Sequence, residues 1–421
     1  IVKKKETNEI DVTIVINKAK KIYVSRIDIK GNARTKDKVI RREMRFNEGD
    51  AFSHEKLKRS EQRIRNTGFF DSVASNSKQA KEPDRTKVIF NVKEKQTGQF
   101  SVGGGFSTTS GALANVGIEE KNFLGKGQDL RAKFTVSERV TQVDFGFTEP
   151  YFYNKDISLG TDIFKTKTTY ADESSFDNDK MGAGIRLGYM ITDKSRHSWN
   201  YIFQNEEIEG VKAGASEFIN NQKGTYKTSS VSHNLSYYGV NDRFNPTKGT
   251  TWNISNKLAG LGGTISYFKS DIKHTLFYSV TDDYVFSTHI KGGYIFGYND
   301  DKVKLKDRYF VGGDSFPGFE TAGIGPRDTS VANKDALGGN MMYTLKTELR
   351  VPIPGVAPQL GINGVFFGIA GAVTDIDEDG GSKIKDDSSP RVSAGFGVQW
   401  KSPFGPVRLD YAHAIMKEEY D

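Results

Sequence analysis

MMYTLKTELRV, residues 341–351, decides how the rest of the chain is read. Met341, Tyr343, Leu345, Thr347, Leu349 and Val351 share one parity, while Lys346, Glu348 and Arg350 take the other. That is the period of two of a β-strand with one apolar face. Strands of soluble sheets average about five or six residues, whereas a tilted strand that crosses a bilayer needs about nine to eleven. The same texture recurs in Leu130, Ala132, Phe134 and Val136 against Arg131, Lys133 and Thr135. It returns in Val392, Ala394, Phe396, Val398 and Trp400 against Ser393, Gly395, Gly397, Gln399 and Lys401, and in Val407, Leu409, Tyr411 and His413 against Arg408 and Asp410. Aromatic residues at the ends of such runs, as in Tyr151-Phe152-Tyr153 and Trp400, suit interfacial girdles. From Gly98 onward the pattern points to a membrane β-barrel, with a large soluble β-fold as the competing reading.

Extending the pattern predicts fifteen strands, near 99–110, 112–122, 127–138, 141–152, 157–170, 177–191, 197–210, 225–240, 249–260, 264–280, 283–298, 339–353, 362–375, 390–402 and 405–418. Bacterial single-chain barrels generally have an even number of strands. With the N-terminal module on the periplasmic side, the short Gly/Pro-rich connections fall inside and the longer ones, 209–224, 299–338 and 375–390, fall outside. Asp421 then ends on the outer face, and a sixteenth strand beyond it is expected to close the barrel.

Composition agrees by exclusion. The 421 residues are 36% hydrophobic and their mean hydropathy is −0.56. No run of about 18 apolar residues exists, so a transmembrane helix is excluded; the richest stretch, GVFFGIAGAV at 364–373, carries three glycines. A barrel escapes such averaging because only every second residue faces lipid. Without cysteine, neither a disulfide nor a thiolate metal site is possible. Residues 1–97 hold 25 Lys+Arg and 14 Asp+Glu, leaving 35 and 39 of the chain's 60 and 53 for the rest, so a basic module precedes a slightly acidic one. The opening IVKKKETNEIDVTIVIN reads as a polar lead into a strand rather than a signal peptide.

That basic module reads as β-α-α-β-β over residues 21–95. After a strand at Tyr23 to Asn32, Thr35 is expected to cap a helix to about Arg45, with Val39, Ile40 and Met44 on one side. Ser53 is expected to cap a second helix to about Asn66, which Gly68 stops. Strands follow near 70–77 and 86–94. DVTIVIN, residues 11–17, then reads as the closing strand of a preceding module occupying residues 1–20. Its basic helices suit a solvated face near anionic lipid better than nucleic acid.

Chemistry-bearing motifs are sparse. Asp375, Asp377, Asp379 and Asp386 resemble a calcium loop, but the twelfth position is Asp and no helices flank it, so an acidic outer loop is expected. Ser287 and His289 share a face yet stand about 7 Å apart along a strand, too far for a direct hydrogen bond. The six histidines are not expected to cluster. Neither catalysis nor a cofactor is predicted. The stretch RYFVGGDSFPGFETAGIGPRD, 308–328, has five glycines and two prolines between two alternating runs, and loops that long are usually functional. Gly103, Gly104 and Gly105 fall in the first barrel strand, where glycine weakens pairing.

VNDRFNPTKG (240–249), NFLGKGQDL (122–130), FTEPYF (147–152) and the 308–328 stretch, following a β-α-α-β-β module, resemble the BamA family of outer-membrane protein assembly factors. The resemblance covers the whole chain. It implies a mixed fold: an α+β periplasmic POTRA domain at 21–95, the last of its series, then an antiparallel transmembrane barrel at 96–421 with sixteen strands expected and fifteen present. By that resemblance loop 299–338 folds into the lumen, with Phe316, Pro317, Gly318 and Phe319 at its tip. The family has an arginine where Pro317 stands, paired with acidic residues of the inner wall; Arg308 and Arg327 are the candidates to replace it. The first strand, with Gln99, Phe100, Ser101, Val102, Gly103, Gly104, Gly105 and Phe106, corresponds to a lateral gate that templates client strands. Glu43, in Arg41-Arg42-Glu43-Met44-Arg45, corresponds to a docking position for the lipoprotein BamD. Expected partners are unfolded β-barrel clients, BamD and other assembly lipoproteins, and outer-membrane lipid and lipopolysaccharide, with no nucleic acid. A TamA-like or two-partner secretion pore, and more remotely a passive porin or adhesin, are the rival readings.

Overall fold

A computed structural model of the chain describes residues 2–4, 9–11, 21–243, 245–281, 283–403 and 405–421. Two short strands, β1 (Val2–Lys4) and β2 (Glu9–Asp11), pair antiparallel, Val2 opposite Asp11. The expected closing strand of a preceding module, DVTIVIN, lies for the most part outside the described residues. The chain divides into two compact units, residues 1–98 with 121–128, and residues 99–120 with 129–421.

In the first unit β3 (Tyr23–Lys30) is followed by α1 (Asp37–Arg41), α2 (His54–Asn66), β4 (Phe70–Gln79) and β5 (Arg85–Glu94). β5 is central, parallel to β3 and antiparallel to β4. Alternation on β5 sends Val88, Phe90 and Val92 into a core with Val24, Ile27, Ile40, Leu57, Ile64 and Val73. As expected, the Ser53 side chain accepts from Lys56 N at the start of α2, and Gly68, with φ +77°, follows its end. The first helix is shorter than expected and has no side-chain cap. Thr35 is engaged elsewhere: its N–H donates to Glu94 (2.6 Å) and its hydroxyl accepts from Asn122 Nδ2 (2.9 Å). Asn122 opens the 121–128 connection that belongs to this unit, where Gly125 accepts from Lys36 N. A Cβ on Gly125, at φ +68°, would stand 2.0 Å from Arg34 O, which explains a glycine in NFLGKG.

The second unit is built on one sheet. Its strands in chain order are β6 (Gly98–Ser107), β7 (Gly111–Phe123), β8 (Gln128–Ser137), β9 (Val140–Glu149), β10 (Ile157–Tyr170), β11 (Phe176–Thr192), β12 (Ser195–Glu209), β13 (Gly224–Val240), β14 (Gly249–Gly263), β15 (Tyr267–Ser279) and β16 (Val285–Gly297). The sheet continues through β18 (Met341–Pro352), β19 (Ile362–Thr374), β21 (Arg391–Ser402) and β22 (Gly405–Met416). Two short strands off this sheet, β17 (Arg327–Asp328) and β20 (Ile384–Lys385), pair with each other, and α3 (Glu217–Asn220) sits in the β12–β13 connection. The fifteen strands neighbour one another in chain order, and the sheet ends at β6 and β22. All fifteen fall within three residues of their expected positions. Among the described residues no helix is long and apolar enough to cross a membrane.

Met341, Tyr343 and Leu345 are exposed on the convex face, while Thr344, Glu348 and Arg350 turn inward. The register extends this sideways, placing Tyr294, Ile290 and Phe286 of β16 opposite Met341, Leu345 and Leu349. The outer wall is therefore apolar and aromatic while the concave face is largely polar, as a membrane barrel requires.

Candidate functional site

The concave face is filled by residues 299–338. The base of this loop is a short helical turn, Leu305–Asp307, held by charge. The Lys306 side chain is wholly buried and ion-paired with Glu206 of β12 and with Asp307 (2.9 Å). Lys269 of β15 donates to the Asp307 carbonyl (2.7 Å) and stands 4.1 Å from the centre of the Tyr309 ring. Burial alone would raise the Asp307 carboxyl, but Lys306, Lys257 and Lys269 outweigh it and hold the group below the usual carboxylate range.

Of the two arginines expected to replace the family's anchor, Arg308 forms an ion pair, with a loop carboxylate rather than an acidic residue of the wall. Its side chain is fully buried, bound to Glu378 of the 375–390 loop and donating to the carbonyls of Val303 and Leu337. Arg327 instead donates to Lys334 O and Ala322 O within the loop itself. The descending and returning legs are bridged at Val311 with Ile324 and Tyr309 with Gly339. Glycine is needed where they turn: a Cβ on Gly312, at φ +146°, would lie 2.0 Å from Glu320 O. The returning leg is fixed by Asp335, which accepts from Ser175 Oγ and Ser216 N, both at 2.7 Å.

The tip reaches both ends of the sheet. Asp314 accepts from Ser107 Oγ at the end of β6, and its N–H donates to Thr109 (3.2 Å). Three residues on, Pro317 O accepts from Ser393 Oγ of β21 (2.6 Å), and Gly318, at φ +101°, lies against Ser393 and the His413–Ala414 backbone of β22. Phe316 is completely buried and packs edge-on against Phe319, 5.3 Å between ring centres. Proline at 317 thus contributes its carbonyl where the resemblance implies a guanidinium. The terminal strand β6 is exposed along most of its length, Phe100 and Val102 at 70%. Its glycines differ: a Cβ on Gly103 would meet the Asn115 side chain at 3.0 Å, one on Gly105 nothing within 4 Å.

Glu43 of the first unit is buried and ion-paired with Arg63 (2.9 Å), whose Nε also donates to the Glu43 carbonyl. The acidic 375–390 loop spends its carboxylates on protein donors: Asp377 accepts from Val303 N and Asn340, Asp386 from Thr374 and Asp375 N. Among the described residues no group of three or more His, Asp or Glu could hold a metal ion.

Two expectations from the sequence fail. Ser287 Oγ lies 3.3 Å from His289 Nε2, because two side chains on one face lean toward each other along the strand. Glu348 approaches the same ring nitrogen at 3.6 Å, while Nδ1 faces Thr275. A nucleophile–base–acid relay needs serine and acid on opposite nitrogens, which this cluster does not provide. The histidines do cluster: His197 and His233 approach to 3.4 Å on the outer wall, brought together by the β12–β13 register.

The Omp85 superfamily domain model matches residues 122–421, and the POTRA model, described as surface antigen variable number repeat, matches residues 22–95. The chain is 31% identical to the outer membrane protein assembly factor BamA of Neorickettsia risticii, over 98% of its own length and 55% of the relative's. It is 29% identical to BamA of Nitratidesulfovibrio vulgaris, over 98% of itself and 51% of that relative. The chain thus spans about half the length of these curated relatives. The crystal structure of BamA from Haemophilus ducreyi lacking POTRA domains 1–3 superposes with a TM-score of 0.85 at 26% identity, covering 95% of this chain and 82% of the other.

Proposed function

The chain belongs to the Omp85 superfamily, and from that membership we propose that it folds and inserts β-barrel clients into the outer membrane, without nucleotide or cofactor. The observation that carries the reading is the similarity over 98% of the chain to proteins named outer membrane protein assembly factors. Residues 21–95 act as a periplasmic POTRA domain and residues 96–421 as the barrel. The gate is β6, from Gln99 to Phe106, whose edge templates an incoming strand by β-augmentation. Exposed edges ordinarily invite aggregation; here the same hydrogen-bonding hunger serves the client. The lumen packed with Lys306, Arg308 and Phe316 supports an assembly role over a passive porin.

Photo-crosslinking tests the gate. A benzoylphenylalanine at Phe100 or Val102 captures a stalled client, and the same probe at Phe203, in mid-wall, does not. Equal capture at all three positions, or none at any, removes the templating role. Docking of BamD at Glu43 is read through its pair with Arg63. Glu43→Lys lowers lipoprotein co-purification, and adding Arg63→Glu restores the internal pair without restoring recovery. Full recovery in the double variant assigns Glu43 to the fold alone.

A further inference from the structure

Four adjacent strands carry a hydrogen-bonded row of polar side chains on the lipid-facing wall. Tyr189 of β11 is opposite His197 of β12, and His233 of β13 is opposite both Trp199 of β12 and Asn256 of β14. Their outward aspect follows from the parity of exposed Trp199, Tyr201 and Phe203 on β12 and Leu235 on β13. Asn256 Nδ2 lies 3.0 Å from His233 Nε2, His233 Nδ1 lies 3.4 Å from His197 Nε2, and His197 Nδ1 lies 2.8 Å from the Tyr189 hydroxyl. An amide nitrogen can only donate, which fixes every tautomer of the neutral row. Asn256 donates to His233, His233 Nδ1–H donates to His197, and His197 Nδ1–H donates to the tyrosine oxygen. Trp199 flanks both rings, 5.3 Å from His197 and 5.1 Å from His233 between centres.

Polar groups facing hydrocarbon are costly unless satisfied. The row satisfies its own interior and leaves over the hydroxyl hydrogen of Tyr189 at one end and, at the other, the second amide hydrogen and the carbonyl of Asn256. That end opens into a crease of about 340 Å³ lined by Trp199, Val231, His233, Asn256, Leu258 and Phe268. Its walls are mostly apolar and its floor offers an N–H donor, the amphipathic order of a lipid where its acyl chain meets its polar group. Tyr189 and His197, at the other end, lie three and two residues from the ends of their strands beside the short 193–194 turn, which faces the side where the chain enters the barrel.

The geometry points to a binding site for one glycerophospholipid, its acyl chain in the crease over Val231, Leu258 and Phe268 and its phosphate oxygens accepting from Asn256. This rests on the barrel's place in a membrane and is independent of client assembly.

Tryptophan quenching tests it, since Trp199 lines the crease and the chain has only two others, Trp252 and Trp400. The Trp252→Phe/Trp400→Phe protein in detergent is titrated with phosphatidylglycerol brominated on its acyl chains, against brominated diacylglycerol, which has no phosphate. Trp199 is expected to quench saturably near one phospholipid per chain, and only in proportion to bulk lipid with diacylglycerol. In the companion Trp199→Phe/Trp400→Phe protein, Trp252 follows bulk lipid throughout. His233→Leu/Asn256→Leu, with folding checked by heat-modifiable gel mobility, raises the half-saturating lipid concentration at least tenfold. Proportional quenching of Trp199, equal saturation by diacylglycerol, or an unchanged midpoint in the folded double variant overturns the site.

Discussion

The two units solve the same alternation with opposite polarity. In the first, β5 turns Val88, Phe90 and Val92 inward onto two helices, and burial of apolar surface stabilises the module. In the second, strands such as Met341–Pro352 turn their apolar residues outward, and the interior is held by charge, hydrogen bonds and a folded loop. A period of two says that a strand has an apolar face; length and surroundings decide where that face goes. An outward aromatic is buried by lipid, so the chain contributes less of the stabilisation of the second unit than of the first.

Arg308 tests the interior most severely. Arg308→Ala leaves Glu378 without its buried partner and is expected to cost about 3–5 kcal/mol, read as a lower temperature for the heat-induced gel shift and faster proteolysis within 299–338. An unchanged transition would show that charge does not hold the loop. The contrast between the units is sharpened by paired substitutions. Leu57→Ala in the first core should cost about 2–5 kcal/mol in denaturant unfolding of that unit, while Phe203→Leu on the outer wall, which keeps an apolar side chain in the detergent and opens no packed cavity, should leave the barrel transition in micelles within about 0.5 kcal/mol. Similar losses at both sites would erase the distinction.

The smallest effect depends on pH. Burial works against the charge of Glu94, but hydrogen bonds from the Thr35 side chain and from the N–H groups of Thr35, Arg34 and Ala33 prevail and hold its carboxyl below the usual range. The folded-state pKa is depressed, so this contribution is complete above the unfolded value of about 4.3 and fades as pH falls through the folded one. Thermal unfolding of the first unit should therefore decline below about pH 4.3, and Glu94→Gln should flatten that decline. Equal acid sensitivity in both proteins would remove Glu94 from the account.

Fifteen strands were legible because each carries its own parity and is punctuated by glycine, proline or acidic turns. The helix expected from Thr35 starts only at Asp37, because Thr35 is claimed by Glu94 and Asn122, partners 59 and 87 residues away, and past Arg41 the chain tightens into turns in which Glu43 N donates to Ile40 O and Met44 N to Arg41 O. Composition showed that loop 308–328 was unusual, and the resemblance placed it in the lumen. Its anchor could not be read, since nothing local ties Arg308 to Glu378, 70 residues on. The histidine row was hidden for a related reason: His197 and His233 stand 36 residues apart and meet only through the exact register of a long hairpin. Counting that register from the connection outward was the one signal available, and strand ends read to within three residues are too coarse for it.

Spin labels placed singly along Met341–Pro352, in the protein reconstituted in lipid, test the inverted wall most directly. Collision with oxygen, which concentrates in hydrocarbon, should peak at 341, 343, 345 and 349, and collision with a water-soluble nickel complex should peak at 342, 344, 346 and 348. Loss of that two-residue alternation, or its reversal, would contradict a sheet whose apolar face meets the membrane.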